Sequence, residues 1–522
     1  MRIGIDVGGT HTDAVLFDGK TLLASHKSLT SDDIASGVIA AVREILQQSA
    51  ISASAITMVV LGTTQFTNAV VQRRGLERVG ALRIGAQSSA ALAIGAKWPV
   101  DIAQSVIEAR YMVDGGHDFD GQQIKPLDER GVEEAAHMFA QKQCQAIAVT
   151  GVFSTSNGQA EKRAAEIIRH HNPKTFLALS SDLGDIGLYQ RENATLLNAS
   201  LMPLADHTIG SFERAFIDLE LACPFFISQN DGTLMSADRA RHYPVFTFSS
   251  GPTNSMRGAT WLAGEANAMV VDVGGTTSDI GMLIDGYPRP SGAAVKIGGV
   301  LTNFRMPDVM ALGLGGGSLV EQDGSIIGPR SVGKDLPKDA RIFGGGVLTA
   351  SDIAVAAGLV NFGERARVAD ISPETIKTAQ KTIHRMLSRT VDQMKTSPAP
   401  LPLIVVGGGG FLVPDNVEGV SHVIRPENGG VANAIGAAFA QVSGVAEKMV
   451  HFRTHDRDDA LAAVSKEAME MAVRQGAVRA SVSIVDIKEE MLTYTDEPGA
   501  IIRARAVGDI DLTSFAHIGA QH

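Results

Sequence analysis

The sequence predicts an α/β protein of two related lobes, followed by a small α/β appendage. An acidic, glycine-rich turn occurs twice, as DVGGTHTD at Asp6–Asp13 and as DVGGTTSD at Asp272–Asp279. Each copy lies between two apolar, strand-like segments, and the rest of the chain alternates strand candidates with helical patterns. Such a duplication implies two lobes of common design with a cleft between them.

Each copy of the turn is expected to open a three-stranded β-meander. In the first half, strands are predicted at Arg2–Asp6, Ala14–Phe17 and Thr21–His26, with Asp18-Gly19 as a tight hairpin. In the second half, strands are predicted at Met269–Val273, Ile280–Ile284 and Ala293–Ile297.

Helical periodicity and apolar runs predict the remaining elements. Helices are expected at Asp32–Gln48, Ala55–Val71, Glu161–His171, Ser372–Met394, Asn433–Val442 and Asp459–Gln475. Further strands are expected at Ala81–Ile84, Ala146–Val149, Leu403–Val406, Ala480–Ile487 and Ile501–Val507. We therefore divide the chain into an N-terminal lobe (1–180), a second lobe (181–449) and the appendage (450–522).

Composition narrows the functional class. The 522 residues include 46 basic and 57 acidic side chains, a net charge of −11, which argues against a nucleic-acid or anionic-membrane partner. The two cysteines form no metal-ligand spacing or disulfide framework, as is usual in a reducing cytosol. With neither a signal peptide nor a membrane-spanning run expected, a cytoplasmic protein is predicted.

The duplicated turn is suited to binding phosphate. Its glycines let the backbone approach an anion, successive N–H groups form a concave anion site, and the hydroxyls add donors. The residues expected to bind phosphate are Gly8, Gly9, Thr10, Thr12, Gly274, Gly275 and Thr276. Asp6 and Asp272 would repel phosphate directly, so they are expected to organise Mg²⁺ and the in-line geometry of transfer.

Two further acids and one histidine lie in the same turns. Asp13 is a candidate third metal ligand, whereas Asp279 is expected to cap its turn. His11 could contact phosphate or metal, or make a structural hydrogen bond, and both interpretations stay open.

A third glycine-rich segment follows an apolar strand at Val405–Phe411. Glycines at the carboxyl end of a strand allow close approach of a nucleoside, so Gly408, Gly409 and Asn433 are expected to border one. Two phosphate turns facing one nucleotide are typical of the actin, sugar-kinase and Hsp70 type of ATPase (ribonuclease H-like). The predicted ligands are therefore ATP and Mg²⁺.

The chain also resembles the hydantoinase/oxoprolinase family, in particular its ATP-binding α-type subunit, hydantoinase A. The segments that carry the resemblance are Ile5–Asp13, Leu61–Ala69, Ser250–Pro252, Asp272–Asp279, Gly313–Ser318, Gly328–Ser331 and Thr349–Asp352. The chain departs from the family pattern at five places. His11 replaces the usual Phe, Leu61 replaces a His, and Asn254 and Ser255 replace two glycines. Asp308–Leu312 lacks the His of an Asp-x-His-Thr run, and Phe343–Gly346 lacks the Cys-Tyr-Gly stretch of the longer members, so the chain resembles a short divergent lineage of the family.

The resemblance implies an ATP-dependent hydrolase that opens a cyclic amide, such as a hydantoin, a lactam or an oxoproline-like compound. It implies phosphorylation of the amide oxygen, a second hydrolytic subunit and a homo- or hetero-oligomer. The alternatives are a chaperone-like reactivating ATPase of the same fold and, less favoured, a small-molecule kinase. The substrate, the partner, activity of the chain alone and the role of the Gly313–Ser318 loop are left open.

Overall fold

The computed structural model describes residues 1–30, 34–119, 121–184, 187–292, 294–304, 306–453, 456–492 and 498–515. The strands among these residues are β1 (Arg2–Val7), β2 (His11–Asp18), β3 (Thr21–Leu29), β4 (Met58–Thr63), β5 (Val79–Ile84), β6 (Ile107–Val113), β7 (Gly116–His117), β8 (Gln123–Lys125), β9 (Ala146–Gly151), β10 (Phe176–Leu179), β11 (Phe225–Ser228), β12 (Thr233–Ser236), β13 (Ala268–Val273), β14 (Ser278–Ile284), β15 (Tyr287–Pro288), β16 (Val295–Ile297), β17 (Val300–Thr302), β18 (Val309–Leu312), β19 (Ser318–Val320), β20 (Ile327–Ser331), β21 (Leu401–Val406), β22 (Val420–Ile424), β23 (Gln441–His451), β24 (Ser483–Met491) and β25 (Gly499–Gly508).

The α-helices among the described residues are α1 (Ile34–Ser49), α2 (Gln65–Gln72), α3 (Ala86–Ser89), α4 (Val100–Val106), α5 (Glu129–Gln141), α6 (Gln159–His171), α7 (Leu188–Asp218), α8 (Ala237–His242), α9 (Ser250–Ala263), α10 (Leu336–Asp339), α11 (Ala350–Ala356), α12 (Pro373–Met394), α13 (Ala432–Ala438) and α14 (Arg457–Arg474). The start of α12 shows how sequence fixes a boundary. Ser372 accepts a hydrogen bond from the backbone N–H of Thr375 at 3.0 Å, and Pro373 occupies the first helical position.

Three sheets form the framework. The largest has nine strands in the order β24-β25-β23-β12-β11-β4-β1-β2-β3. A parallel sheet, β10-β9-β5-β6, belongs to the first third of the chain. The second phosphate turn lies in a six-stranded sheet, β15-β14-β13-β21-β22, in which β18 also pairs with β14. The C-terminal strands β24 and β25 thus extend the sheet that contains β1, and the three-part division of the chain stays a prediction.

The first predicted meander is confirmed, and the second is partly wrong. Strands β1, β2 and β3 pair in order, and β13 pairs with β14 as expected. The predicted third strand at Ala293–Ile297 instead contributes β16 to a separate hairpin with β17, and β15 and β18 pair with β14. Ala293 lies outside the described residues, as does Asp32 at the predicted start of the first helix.

Two helix predictions also need correction. The segment predicted as one helix over Ala55–Val71 contains β4 and then α2. All six residues of β4 are buried because the strand lies between β1 and β11, so its apolar run has no alternation to distinguish it from a helix. The helix predicted at Asn433–Val442 ends at Ala438, and β23 begins at Gln441.

The crossing of α9 and α13 connects the two sheets that carry the phosphate turns. A Cβ at Gly258 of α9 would clash with the carbonyl of Ala432, and a Cβ at Gly436 of α13 would clash with the carbonyl of Asn254. The absence of side chains at these two positions lets the helix backbones touch. Since α9 leads into β13 and α13 packs on β1, the crossing sets the spacing of the two lobes.

In the described part of the chain, no helix combines the length and the apolar character needed to span a bilayer.

Candidate active site

The two phosphate turns face a common cleft of about 320 Å³. The predicted site residues that line it are Gly8, Thr10, Asp13, Asp272, Gly274, Gly275, Gly408, Gly409 and Asn433. The cleft thus brings together residues from three glycine-rich segments that are far apart in the sequence. Gly9, Thr12 and Thr276 are not in its lining, and Asp6 is buried directly behind it.

The turns are alike in their hydrogen bonds as well as in sequence. The N–H of Gly8 donates to the carbonyl of His11 at 2.9 Å, and the N–H of Gly274 donates to the carbonyl of Thr277 at 2.9 Å. Both N–H groups are therefore engaged within their turns. Any phosphate contact from the turns is left to the N–H groups that follow.

Each first aspartate lies opposite the last aspartate of its own turn. Asp6 pairs in register with Asp13 across β1 and β2, and Asp272 pairs with Asp279 across β13 and β14. Side chains opposite each other on neighbouring strands lie on the same face of the sheet. Each turn therefore gathers two carboxylates at one edge of its sheet.

A glycine on the neighbouring parallel strand makes room for each first aspartate. Gly62 lies beside Asp6 in the register of β4, and Gly407 follows β21 beside Asp272. A Cβ at either glycine would clash with the adjacent carboxylate oxygen. These glycines are thus needed for the close approach of backbone to carboxylate.

Adjacent residues of α9 bind the two aspartates. The side-chain amide of Asn254 donates to Asp6 Oδ1 at 3.3 Å, and the hydroxyl of Ser255 donates to Asp272 Oδ2 at 2.5 Å. Asn433, at the start of α13, donates to Asp6 Oδ2 at 3.0 Å. One helix therefore connects the acids of the two lobes, and both Asp6 oxygens accept hydrogen bonds.

Burial and crowding of charge raise the pKa of these acids. Burial, reinforced by the charge of Asp13, raises the pKa of Asp6 from its usual 3.8 to about 7. Burial also raises the pKa of Asp272, against the opposing effects of the Ser255 hydrogen bond and of Lys27. Both carboxylates therefore lie where an additional cation would stabilise their charged forms.

The last aspartates of the two turns differ in their surroundings. Lys27 Nζ forms an ion pair of 2.5 Å with Asp13, its register partner on β3. The equivalent partner of Asp279 on β18 is Ala311, which offers no charge. Burial followed by the charge of Asp272 raises the pKa of Asp279 to about 7. The predicted metal role of Asp13 stays a prediction, and that side chain already has one cationic partner.

The Gly313–Ser318 loop packs on the second turn. The N–H of Gly316 donates to the carbonyl of Gly274 at 3.0 Å, and the N–H of Gly317 donates to that of Gly275 at 2.7 Å. Ser351, near the start of α11, donates to the carbonyl of Gly316 at 2.8 Å. The loop is therefore a support that holds the second turn in shape, and Gly316 itself reaches the cleft.

The far end of the cleft is apolar and glycine-rich. The N–H of Gly409 donates to the carbonyl of Val273 at 2.8 Å, so the third glycine segment lies beside the second turn. Phe362 and Phe411 line this part, with ring centroids 5.5 Å apart in an edge-to-face arrangement. An aromatic wall beside exposed backbone is suitable for a flat heterocycle.

His11 lines the cleft, and its Nδ1 lies 3.2 Å from the hydroxyl of Thr10. Burial, followed by the charge of Lys27, lowers the pKa of His11, so the neutral imidazole is favoured. Among the described residues, no cluster of three or more His, Cys, Asp or Glu side chains is arranged to hold a metal ion. A cation in the cleft would thus need ligands from the bound molecule or from water.

Several site residues were not predicted from the sequence: Lys27, Asn254, Ser255, Ser351, Phe362, Gly407 and Phe411. The substitution of Asn254 and Ser255 for glycines usual in the resembled family was a signal, but it did not indicate contact with the two aspartates.

Taken together, the sheets, the paired turns and the crossing helices define an actin-like, two-lobed α/β protein, as predicted. The chain belongs to the hydantoinase/oxoprolinase family. Residues 2–172 match the family's N-terminal region and residues 191–364 match the hydantoinase/oxoprolinase domain.

Individual relatives agree with this assignment. The chain is 29% identical over 388 residues to the caprolactamase subunit alpha of Pseudomonas jessenii, covering 69% of this chain and 55% of that one. It is 28% identical over 397 residues to the acetophenone carboxylase gamma subunit of Aromatoleum aromaticum, covering 69% and 53%. The chain thus spans about half the length of these curated relatives.

A solved structure supports the fold. The ATP-dependent caprolactamase from Pseudomonas jessenii superimposes with a TM-score of 0.76 at 20% identity, covering 98% of this chain and 88% of that chain.

Proposed function

We propose that the chain is an ATP-dependent hydrolase that opens a cyclic amide and acts together with a second, hydrolytic subunit. The observation that carries the proposal is the pair of aspartates, buried Asp6 and cleft-lining Asp272, held by adjacent residues of α9. Family membership and the names of the caprolactamase relatives support the reaction class.

In this proposal the two turns hold the phosphates of ATP. Their later N–H groups and the hydroxyl of Thr10 donate to phosphate oxygens, because anions bind well where several backbone N–H groups converge. The adenine lies against Phe362 and Phe411, and its ribose lies on the Gly408-Gly409 backbone. Lys27 adds the positive charge that anionic phosphates require.

Mg²⁺ fits the acids of the cleft. The pKa values of Asp6 and Asp272 are both raised by burial, and the charge of Lys27 offsets this effect only at Asp272. Mg²⁺ commonly uses one or two carboxylates together with phosphate oxygens and water, so a set of three protein ligands is not required. When bound, the ion would neutralise charge on the phosphates, with Asp6 and Asp272 as its protein ligands and Asp13 as a further candidate.

The chemistry begins with attack of the amide oxygen on the γ-phosphorus of ATP. The bond to the β–γ bridging oxygen breaks, ADP leaves, and an imidate phosphate forms. One water then adds to the activated carbon, the ring C–N bond breaks, and the nitrogen takes a proton. A second water releases inorganic phosphate and leaves a carboxylate. The chain's own residues bind and orient ATP and exclude bulk water from the phosphoryl transfer.

The water-activating groups are assigned to a partner subunit. Burial raises the pKa of Cys144 and of Cys223 to about 11, so neither thiol is a ready nucleophile. The described residues also include no metal cluster that could activate water. The two curated relatives are named as subunits, which supports a multi-subunit enzyme. A reducing cytosol suits the two unpaired thiols.

A second candidate is suggested by the acetophenone carboxylase relative. A ketone carbonyl, like an amide carbonyl, offers an oxygen that can accept a phosphoryl group. ATP-dependent activation of a ketone before carboxylation is therefore the alternative reaction at the same cleft.

The test measures ADP release from the purified chain, with and without the product of the neighbouring gene. The panel contains lactams, hydantoins, 5-oxoproline, and ketones with bicarbonate. We expect a cyclic amide to stimulate ADP release, and ring opening to require the partner. Ring opening at full rate by the isolated chain would refute the two-subunit assignment, and stimulation by ketones alone would select the second candidate.

Two variants and a ligand titration test the site itself. Asp6→Asn and Asp272→Asn should fold normally and lose ATP turnover by orders of magnitude, whereas Asp18→Asn, at an exposed hairpin, should behave as the parent. Mg-ATP should raise the thermal unfolding temperature of the parent, because a ligand that binds only the folded state stabilises it. Turnover within a few-fold of the parent would remove the substituted aspartate from its role.

A further inference from the structure

A second and larger cavity, of about 730 Å³, lies apart from the phosphate cleft. Its walls come from the turn after β10, from the loop between β11 and β12, and from β23 and α14 of the C-terminal part. The two cavities share no lining residue. A molecule bound here would therefore be additional to the nucleotide.

The walls of this cavity contain an unusual concentration of unpartnered polar atoms. Thr155 Oγ1, Ser181 Oγ, Arg239 Nε and both amide atoms of Asn303 are buried and have no hydrogen-bond partner among the described residues. All four residues line the cavity. Each buried donor or acceptor left unpaired costs about 1–3 kcal/mol. Four such residues around one cavity give its wall several polar groups whose hydrogen-bonding capacity is not used by the described residues.

Arg239 supplies positive charge to the cavity without an ion-pair partner in the described part of the chain. Its guanidinium Cζ lies 5.0 Å from the ring centroid of Tyr243 and 5.8 Å from that of Phe246. Burial lowers the pKa of Arg239, with only the charge of Asp182 and the nearby Tyr243 opposing that effect. Both rings therefore lie within cation–π distance of the guanidinium.

The other cations of the cavity are already paired. Lys448 forms a 2.7 Å ion pair with Glu467, and Arg503 lies 3.6 Å from Glu447. Asp182, the acid whose charge raises the pKa of Arg239, accepts a hydrogen bond from the hydroxyl of Tyr243 at 3.1 Å. Among the described lining residues, Arg239 is therefore the cation without an ion-pair partner, and the acids Asp182 and Asp231 line the same cavity.

A buried network holds one wall of the cavity in place. Glu161 accepts hydrogen bonds from the Ser180 hydroxyl at 2.6 Å and from the Ser181 N–H at 2.8 Å. Arg191 donates to the Ser180 hydroxyl at 3.0 Å. The turn that presents Ser181 and Leu183 is thus fixed before any ligand arrives, which reduces the entropy lost on binding.

We propose that this cavity is a second ligand site, for a small organic molecule with one carboxylate on an apolar skeleton. The carboxylate binds the edge of the Arg239 guanidinium and the hydroxyls of Thr155 and Ser181, and Asn303 donates its amide to the same ligand. The carbon skeleton lies against Leu183 and the neighbouring aromatic rings. This site is independent of the proposed reaction at the phosphate cleft.

The test measures binding of benzoate and hexanoate to the full chain by titration calorimetry and by ligand-observed NMR. The uncharged isosteres benzamide and hexanamide serve as matched ligands. We expect saturable binding of at least one carboxylate and at least tenfold weaker binding of its amide, because a charge-assisted hydrogen bond is lost. No saturable binding at millimolar concentration, or equal binding of acid and amide, would overturn the proposal.

Variants locate the site. Arg239→Gln should weaken carboxylate binding at least tenfold. Asn303→Ala should weaken it severalfold, and because the Asn303 amide makes no hydrogen bond to the other described residues, this substitution removes none from the protein itself. Arg43→Gln, at an exposed position of α1, is the matched control and should bind as the parent does. Unchanged binding in both Arg239→Gln and Asn303→Ala would refute the assignment even if Arg239→Gln were less stable.

A nucleotide analogue distinguishes the two cavities. Saturating Mg²⁺ with a non-hydrolysable ATP analogue should leave the carboxylate bound, and Asp272→Asn should leave its affinity unchanged. Competitive displacement by the analogue would place the carboxylate in the phosphate cleft and would overturn the second site.

Discussion

Replacing Asp6 with Asn should stabilise the fold at pH 8 and leave its stability unchanged at pH 4. Asp6 is 3% exposed, and its pKa rises from 3.8 to about 7 on folding, mainly because of burial. Between pH 3.8 and about pH 7, Asp6 therefore keeps a proton in the folded state that it has released in the unfolded state. The parent should lose stability as the pH rises from about 4 to about 7, since the carboxylate must then be buried in charged form.

The size of the effect follows from the same values. A rise in pKa from 3.8 to about 7 corresponds to about 4 kcal/mol, at about 1.4 kcal/mol for each pH unit. Asn has the shape of the protonated acid: its oxygen can accept from Asn433, and its NH2 group can donate to the Asn254 side-chain oxygen once that amide has turned over. Asp6→Asn should thus match the parent at pH 4 and exceed it by up to about 4 kcal/mol at pH 8.

The assay is denaturant unfolding of both proteins at pH 4.5, 6 and 8, without nucleotide or Mg²⁺. Asp18→Asn is the control, because Asp18 is exposed at the end of β2. The control should follow the parent at every pH. If Asp6→Asn and the parent instead lose stability in parallel between pH 4.5 and 8, burial of the charged Asp6 carboxylate does not destabilise the fold. The argument that Asp6 would be stabilised by a bound cation would then fail.

Two further substitutions test the helix crossing and the second acid. Gly258→Ala should lower the free energy of unfolding by about 1–3 kcal/mol, because its Cβ would meet the carbonyl of Ala432; Gly210→Ala, where the Cβ has space, should be neutral or stabilising in the same denaturation assay. In the parent, the hydrogen bond from Ser255 lowers the pKa of Asp272. Ser255→Ala removes this bond, so the pKa of Asp272 should rise and the acidic limb of the pH profile of ATP turnover should shift to higher pH. If the acidic limb does not shift, ionisation of Asp272 does not control ATP turnover.

Local signals predicted the parts of the site that a short segment determines. Each phosphate turn carries its glycines, its acid and its flanking strands within one short segment, 2–18 or 268–284, so its structure is encoded locally. The duplication added the inference that two such turns share one cleft, and residues of both turns line it. The Val405–Phe411 segment was located for the same reason, as an apolar strand followed by glycines.

Register is a feature that local signals did not predict. The tight turn lies at Gly19-Lys20, one residue later than predicted, and pairs Phe17 with Leu22; unbroken pairing from there would set His26 opposite Asp13. A bulge between Leu16 and Phe17 shifts the register by one residue, so Lys27 lies opposite Asp13 instead. The sign and strength of the charge beside the first turn thus depend on an irregularity that the sequence pattern does not mark.

Long-range contacts account for the other missed residues. Asn254 is separated from Asp6 by almost half the chain, and its amide reaches Asp6 only because α9 crosses α13 beside β1. A helix surface offers no sequence signal for which partner it will meet across a domain. The buried strand β4 was mistaken for a helix for a related reason, since complete burial removes the alternation that identifies a strand.

The two halves keep a common backbone but differ in charge. Asp13 faces Lys27, whereas Asp279 faces Ala311 and has a pKa raised to about 7. Positive charge is therefore built into the first lobe, and the second lobe has acids without a cation of their own. Lys27 is paired with Asp13, and its charge also opposes the burial that raises the pKa of Asp272, whereas the pKa values of Asp6 and Asp279 are raised to about 7. This difference gives the duplicated turns distinct electrostatic tasks at the one cleft they share.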